Sequence, residues 1–273
     1  MKLNIFQRAV TAVSLAILTT VMIAFFSTKV FAFGVGFLLT IAAWEWCRLE
    51  NRGTVVWRDV FFSCAIGIAV PVVSTFFMVL EWILGVSLLW WMYLSAKMIL
   101  SWTGKRAMRW HARRWNGLLL IFPAGIAVVG LHSLFPEGRW YLLVGLIVIW
   151  TTDTSAYLAG RIYGNRLLAP NISPKKNIEG VLGGFAGAVL SGLLMYQLLP
   201  TVLTISLFEW ILLIAVTAIF SVIGDLTESA YKRGAGVKDS GRILPGHGGV
   251  LDRLDSSFAA MPVFVMGLLY AVA

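Results

Sequence analysis

Two groups of polar residues have the types and spacing of a phosphoryl-transfer site. Asp225, Glu228, Ser229 and Lys232 stand at i, i+3, i+4 and i+7, so a helix running through them puts all four on one face. Asp252, Asp255 and Ser256 repeat the i, i+3, i+4 pattern just before the last apolar run. Two helix ends then offer carboxylates across a short loop, and hard oxygen ligands are what Mg²⁺ prefers. Asp225 and Asp252 are the expected metal ligands, assisted by Asp255, with carboxylate to spare for a second cation. Lys238, Arg242 and the Gly246-His247-Gly248-Gly249 turn supply cations and close-approaching N–H groups for phosphate. His247 reads equally as a ligand, an acid, a phosphate contact or a turn-stabilising imidazole. Asp239 is in the loop, off both faces. Charges capping two membrane helices are the plainer alternative for any one of these residues.

A second cluster lies upstream. Asp153, Tyr157, Gly160, Arg161 and Gly164 share a helical face, and Asp153 interrupts an otherwise apolar run. Ser173-Pro174 has the form of an N-cap followed by proline at the first helical position. The expected helix start would aim N–H groups, Lys175 and Lys176 at an anion, either an end of a nucleotide or a lipid head group. Glu179 closes this cluster. Gly180, Gly183, Gly184 and Gly187, spaced by three and four, suit close helix packing. Glu45, between Trp44 and Trp46, reads as an interfacial residue of an aromatic belt. The cations and tryptophans of 102–115 suit a segment lying on the membrane surface.

These stretches resemble a known family. Ser229-x-x-Lys232-Arg233, Lys238-Asp239 and Pro245-Gly246-His247-Gly248-Gly249-x-x-Asp252-Arg253-x-Asp255 are similar to the signature of the phosphatidate cytidylyltransferases. So are Asp153-x-x-Ala156-Tyr157, Gly160-Arg161 and Ser173-Pro174-x-Lys176-x-x-x-Gly180. The resemblance covers the chain from about Asp153 onward. Tyr231 stands where an aliphatic residue or Phe is usual, and Asn177 where Thr is usual. The resemblance implies transfer of a cytidylyl group from CTP to phosphatidate, giving CDP-diacylglycerol and pyrophosphate. It implies catalytic roles for Asp225, Ser229, Lys232, Arg233, Lys238, Asp252 and Asp255. It implies substrate contacts from Asp153, Tyr157, Arg161, Ser173, Lys175, Lys176, Glu179, His247, Gly248 and Gly249. The alternatives are a CTP-dependent transferase acting on another lipid phosphate, and a lipid or ion transporter with paired intramembrane carboxylates.

The elements that must position these residues are membrane helices. The chain has 273 residues, 59% hydrophobic and 13% charged, with mean hydropathy +0.84. Soluble domains carry about 25% charged residues. Apolar stretches fall near 9–27, 30–47, 59–77, 80–100, 117–135, 140–160, 181–200, 205–224 and 256–273. They predict an all-α polytopic protein with about nine transmembrane helices, with Pro71 and Pro123 inside spans. Residues 1–273 read as one integral-membrane domain, with N-terminal helices over 1–135 and a catalytic half over 136–273. The first segment reads as a retained span and not a signal peptide. With the N-terminus in the cytoplasm and strict alternation, 19 of the 22 Lys and Arg residues fall on the cytoplasmic side. The net charge of +9 is therefore a topology signal, not a sign of nucleic-acid binding. The expected setting is a bacterial inner membrane with the active site facing the cytoplasm. The sequence leaves room for a homodimer. Cys47 and Cys64 sit in apolar runs and suggest neither a disulfide framework nor a zinc site.

Overall fold

In hydrocarbon a backbone must satisfy its own hydrogen bonds, so apolar stretches of this length fold as helices. The computed structural model of the chain describes residues 2–51, 54, 56–103, 110–134, 137–199, 205–241, 243 and 248–272. Nine helices are described among them: α1 Lys2–Phe25, α2 Thr28–Glu50, α3 Trp57–Val73, α4 Phe77–Thr103, α5 Arg114–Leu134, α6 Gly138–Tyr163, α7 Ile178–Leu198, α8 Leu207–Gly234 and α9 Leu251–Val272. All nine fall on the expected stretches. Seven are long and apolar enough to cross a membrane. Beside them stand two shorter described segments, Val13–Phe25 within α1 and the 17 residues of α3.

The helices alternate in direction between two ends of the bundle. At one end Arg114, opening α5, bridges Glu50 at the end of α2 (3.2 Å) and Asp59 at the start of α3 (2.6 Å). The C-terminal part of α8 and the start of α9 meet at the same end, held by Lys232 and Asp252. At the other end His132 of α5 bonds Thr28 of α2 (3.0 Å) and the carbonyl of Ile23 in α1 (3.1 Å). Arg139 of α6 donates to the Ala24 carbonyl there, at 3.0 Å.

Two expectations need correction. The Ser173-Pro174 pair does not start a helix. Residues Ser173–Asn177 form strand β2, antiparallel to β1 (Leu167–Ala169) in a small hairpin. The cap falls four residues later, where Asn177 accepts the Gly180 N–H at 2.8 Å and donates to the Gly160 carbonyl at 2.9 Å. Asn is a strong N-cap, and here its amide also ties the end of α6 to the start of α7. The segment 102–115 does not simply lie on the surface. Residues 104–109 lie outside the described residues, but Trp110 is buried edge-on against Tyr231, with ring centroids 5.2 Å apart. Gly234 makes room for it, since a Cβ there would collide with the Trp110 carbonyl.

The expected glycine packing is present. Gly183, Gly184 and Gly187 lie against Ala159, Ala156 and Ser155 of α6, so α6 and α7 approach closely. This leaves the polar end of α6 facing α8 and α9.

Candidate active site

The α8 helix continues ten residues past the expected end of its apolar run, through Gly234. That extension puts Asp225, Glu228, Ser229 and Lys232 on one face. Glu228 and Lys232 are buried, 3% and 8% exposed. Lys232 pairs with Glu228 one turn back and with Asp252 across the α8–α9 junction, at 2.6 Å. Ser229 Oγ lies 3.4 Å from Asp225 Oδ1 and is oriented to donate to it. Gly224 permits the approach of α9: a Cβ there would sit 2.5 Å from the Asp255 carbonyl oxygen and 3.2 Å from Ala259 Cβ.

Asp252 stands in the first turn of α9, where a carboxylate is favoured by the unpaired N–H groups and the helix dipole. Besides the Lys232 ammonium, it accepts the Ser240 N–H at 3.0 Å and the Gly249 N–H at 2.8 Å. It therefore fastens both ends of the described loop to α8. Gly248 has φ +87°, and a Cβ on it would lie 2.6 Å from Asp252 Oδ2, so only glycine fits. Asp255, one turn on, accepts the N–H of Ser256 at 2.8 Å. Ser256 Oγ in turn donates to Asp153 of α6, at 3.2 and 3.3 Å. Asp153, Asp225 and Asp255 thus come from three helices and stand within electrostatic reach of one another.

The hairpin contributes Lys176, which pairs with Asp225. Of the two lysines expected at an end of a substrate, β2 carries Lys176 into the carboxylate cluster, while Lys175 is exposed. Ser173 pairs with Ala169 at the hairpin's turn. Tyr157 and Arg161 lie on the exposed face of α6, Arg161 3.4 Å from the Tyr157 hydroxyl. Arg233 donates to the carbonyls of Val237 (2.9 Å) and Ile172 (3.3 Å), linking loop to hairpin. Lys238 and Asp239 are exposed on the loop. Glu179 accepts the N–H groups of Asn165 and Arg166, both at 3.1 Å, and the Arg166 side chain at 3.0 Å, closing the turn after α6. His247, with Arg242 and Gly246, lies outside the described residues.

One residue was misread. Glu45 is not in an interfacial belt. It is fully buried, and its Oε2 accepts the Leu251 N–H at 2.8 Å and the Ser240 hydroxyl at 3.1 Å. The rule that singled out Asp153, an acidic residue inside an apolar run, applied to Glu45 as well. Its two tryptophan neighbours suggested a belt, yet Trp46 is buried too, bonding the Arg113 carbonyl at 3.0 Å and packing on Tyr231.

The arrangement offers oxygen donors and cations together at one end of the bundle, as a site for a metal and phosphates would. Among the described residues no three groups already converge as a metal cage. The Asp225 carboxylate meets two side chains, Lys176 and Ser229, whereas that of Asp252 is engaged by backbone N–H groups and Lys232.

Comparison with known proteins places the chain in a family. Residues 6–271 match the model of the cytidylyltransferase family. The phosphatidate cytidylyltransferase of Pseudomonas aeruginosa is 36% identical, over 97% of both chains. That of Haemophilus influenzae is 32% identical, over 94% of this chain and 96% of its own. That of Staphylococcus epidermidis is 43% identical over 54% of this chain and 55% of its own. With a family match over residues 6–271 and the Pseudomonas aeruginosa relative covered over 97% of its length, this chain belongs to the cytidylyltransferase family.

Proposed function

We infer that the protein transfers the cytidylyl group of CTP to phosphatidate, giving CDP-diacylglycerol and pyrophosphate. The observation that carries the reading is the cluster of Asp153, Asp225, Asp255, Lys176 and the Lys232–Asp252 pair, built at one end of the bundle from α6, α8, α9 and the hairpin. A phosphate oxygen of phosphatidate attacks the α-phosphorus of CTP. A new O–P bond forms, the bond from the α-phosphorus to the bridging oxygen breaks, and pyrophosphate leaves with that electron pair. The nucleophile is already an anion, so no general base is needed. The task of the protein is to hold two anions in line and offset the charge that builds on the α-phosphate and leaving group.

Lys176 and Lys232 are the cations nearest the carboxylates, and they are suited to that charge. Arg233, Lys238 and Lys175 surround them as further phosphate contacts. Asp225 and Asp255 would hold Mg²⁺, with Asp252 one turn away and Asp153 within reach of a second cation. Bound there, Mg²⁺ would supply electrostatic stabilisation of the reacting phosphates. Tyr157 and Arg161 stand on the open side of α6, where a lipid head group would arrive. The basic end of the bundle faces the cytoplasm, where CTP is, and all nine helices cross the membrane. At about 1.5 Å per residue the 17 residues of α3 reach about 26 Å, close to the hydrocarbon thickness of ~30 Å.

Purified protein incubated with CTP labelled at the α-phosphate, Mg²⁺ and phosphatidate should transfer label to a lipid-extractable product, with one pyrophosphate per lipid. Labelling of an isoprenoid phosphate in preference to phosphatidate would move the assignment to another lipid substrate.

A further inference from the structure

The loop 235–250 carries Lys238 and Gly248-Gly249 and leads into Asp252, yet it is anchored from outside the catalytic half. Glu45, near the end of α2, is 195 and 206 residues away from its two partners. Its Oε2 takes the Ser240 hydroxyl at one end of the loop and the Leu251 N–H at the start of α9. Gly241 and Gly249 leave the space it fills: a Cβ on Gly241 would lie 2.8 Å from the carboxyl carbon, and one on Gly249 2.5 Å from Oε1. Two loop glycines are thus shaped around one carboxylate of another helix. Asp252 holds the same two loop ends from the opposite side, through the N–H groups of Ser240 and Gly249. Ser240 is the shared point, giving its hydroxyl to Glu45 and its N–H to Asp252.

A carboxylate this buried is expensive unless it is hydrogen-bonded to groups that matter where it sits. Charge-assisted bonds to a hydroxyl and a helix N-terminal N–H are the stronger kind, and the α9 dipole favours the negative charge. The surrounding α2 surface is fixed independently, by Trp46 on Tyr231 and by Glu50 on Arg114. The bundle therefore does not depend on Glu45 alone for its assembly.

We propose that Glu45 is a positioning residue for cytidylyl transfer: it clamps Ser240 and the N-terminus of α9 so that Asp252 presents Lys232 to the reacting phosphates. The inference rests on the site reading above. Substrates do not touch Glu45, so its loss should weaken alignment in the transition state more than ground-state binding.

The test is steady-state kinetics on the full-length protein in detergent micelles, with CTP and phosphatidate varied separately and the thermal midpoint measured alongside. Glu45→Gln keeps the shape and loses the charge. It should lower kcat by about tenfold or more and leave both KM values within about twofold of wild type. Ser240→Ala should lower kcat about threefold to fivefold, and the double variant should be no slower than Glu45→Gln, because both remove one linkage. Glu50→Gln, on the same end of α2 but bonded to Arg114, should keep wild-type kcat. Folded Glu45→Gln with wild-type kcat overturns the proposal. So does a fall in thermal midpoint with unchanged kcat per folded molecule, which marks a purely structural role. Should Glu45→Gln not fold, Ser240→Ala decides, and wild-type kcat in that variant overturns the proposal. Asp252→Asn is run beside them. Full activity there removes the site reading itself, whereas an inactive Asp252→Asn beside an active Glu45→Gln removes only the role of Glu45.

Discussion

Two carboxylates converge on Lys232. It lies buried between Glu228 and Asp252, and Asp252 holds the loop. An ammonium so placed is pre-oriented, and its contribution should be largest when charge develops on the transferring phosphate. Lys232→Met should therefore lower kcat far more than it raises KM. It also leaves two buried carboxylates without their cation, a change that typically costs about 3–5 kcal/mol. A marked drop in thermal midpoint should accompany the kinetic loss. Combining Lys232→Met with Glu228→Gln should recover part of the midpoint but none of the rate. Recovery of rate would make Lys232 a structural residue only. Its neighbours on α8 were legible from spacing alone, because i, i+3, i+4, i+7 fixes a face once the helix is known to continue. Glu45 was not, since its partners are remote in sequence and two tryptophans beside it resemble a belt.

At the scale of elements, the site is made where helix ends are stopped and joined. The loop between α8 and α9 turns at Gly248, whose positive φ and crowding by Asp252 exclude a side chain. Gly248→Ala should strain this turn by about 1–3 kcal/mol and displace Asp252. Activity should fall while the thermal midpoint moves only a few degrees, as read by pyrophosphate release and a melting curve. Unchanged activity would mean that the loop adapts and that Asp252 needs no fixed partner. The hairpin β1–β2 is the element the sequence concealed. Its strands have three and five residues, too short for alternation to register, and Ser-Pro mimics a helix start. The extended strand carries Lys176 to Asp225, a pairing that a helix start did not suggest. The glycine spacing of α7 was plain because close packing needs only small residues at intervals of three and four.

For the whole molecule, composition and the nine apolar runs revealed an all-α membrane protein, and cation placement suggested its orientation. The structure adds that the described members of that basic set lie at the end of the bundle that holds the carboxylate cluster, while Lys29 and Arg139 lie at the other. Single cysteines introduced at Asp239 and Lys29, in a protein with Cys47 and Cys64 replaced, should react with a membrane-impermeant thiol reagent from opposite sides. Asp239→Cys should be labelled only from the cytoplasmic side. Labelling of both from one side would contradict the alternation proposed for the nine helices.

If the carboxylates gathered by α6, α8 and α9 perform the transfer, Asp225 is the one whose loss should tell most. It meets Lys176, neighbours Ser229 and faces Asp153 and Asp255. Asp225→Asn preserves its shape and removes its charge. The measurement is formation of labelled CDP-diacylglycerol from α-labelled CTP and phosphatidate by the folded variant, across a range of Mg²⁺. The account predicts a loss of roughly a thousandfold or more in kcat at every Mg²⁺ concentration, with a thermal midpoint near that of wild type. Turnover of Asp225→Asn near the wild-type rate at low Mg²⁺ would contradict it.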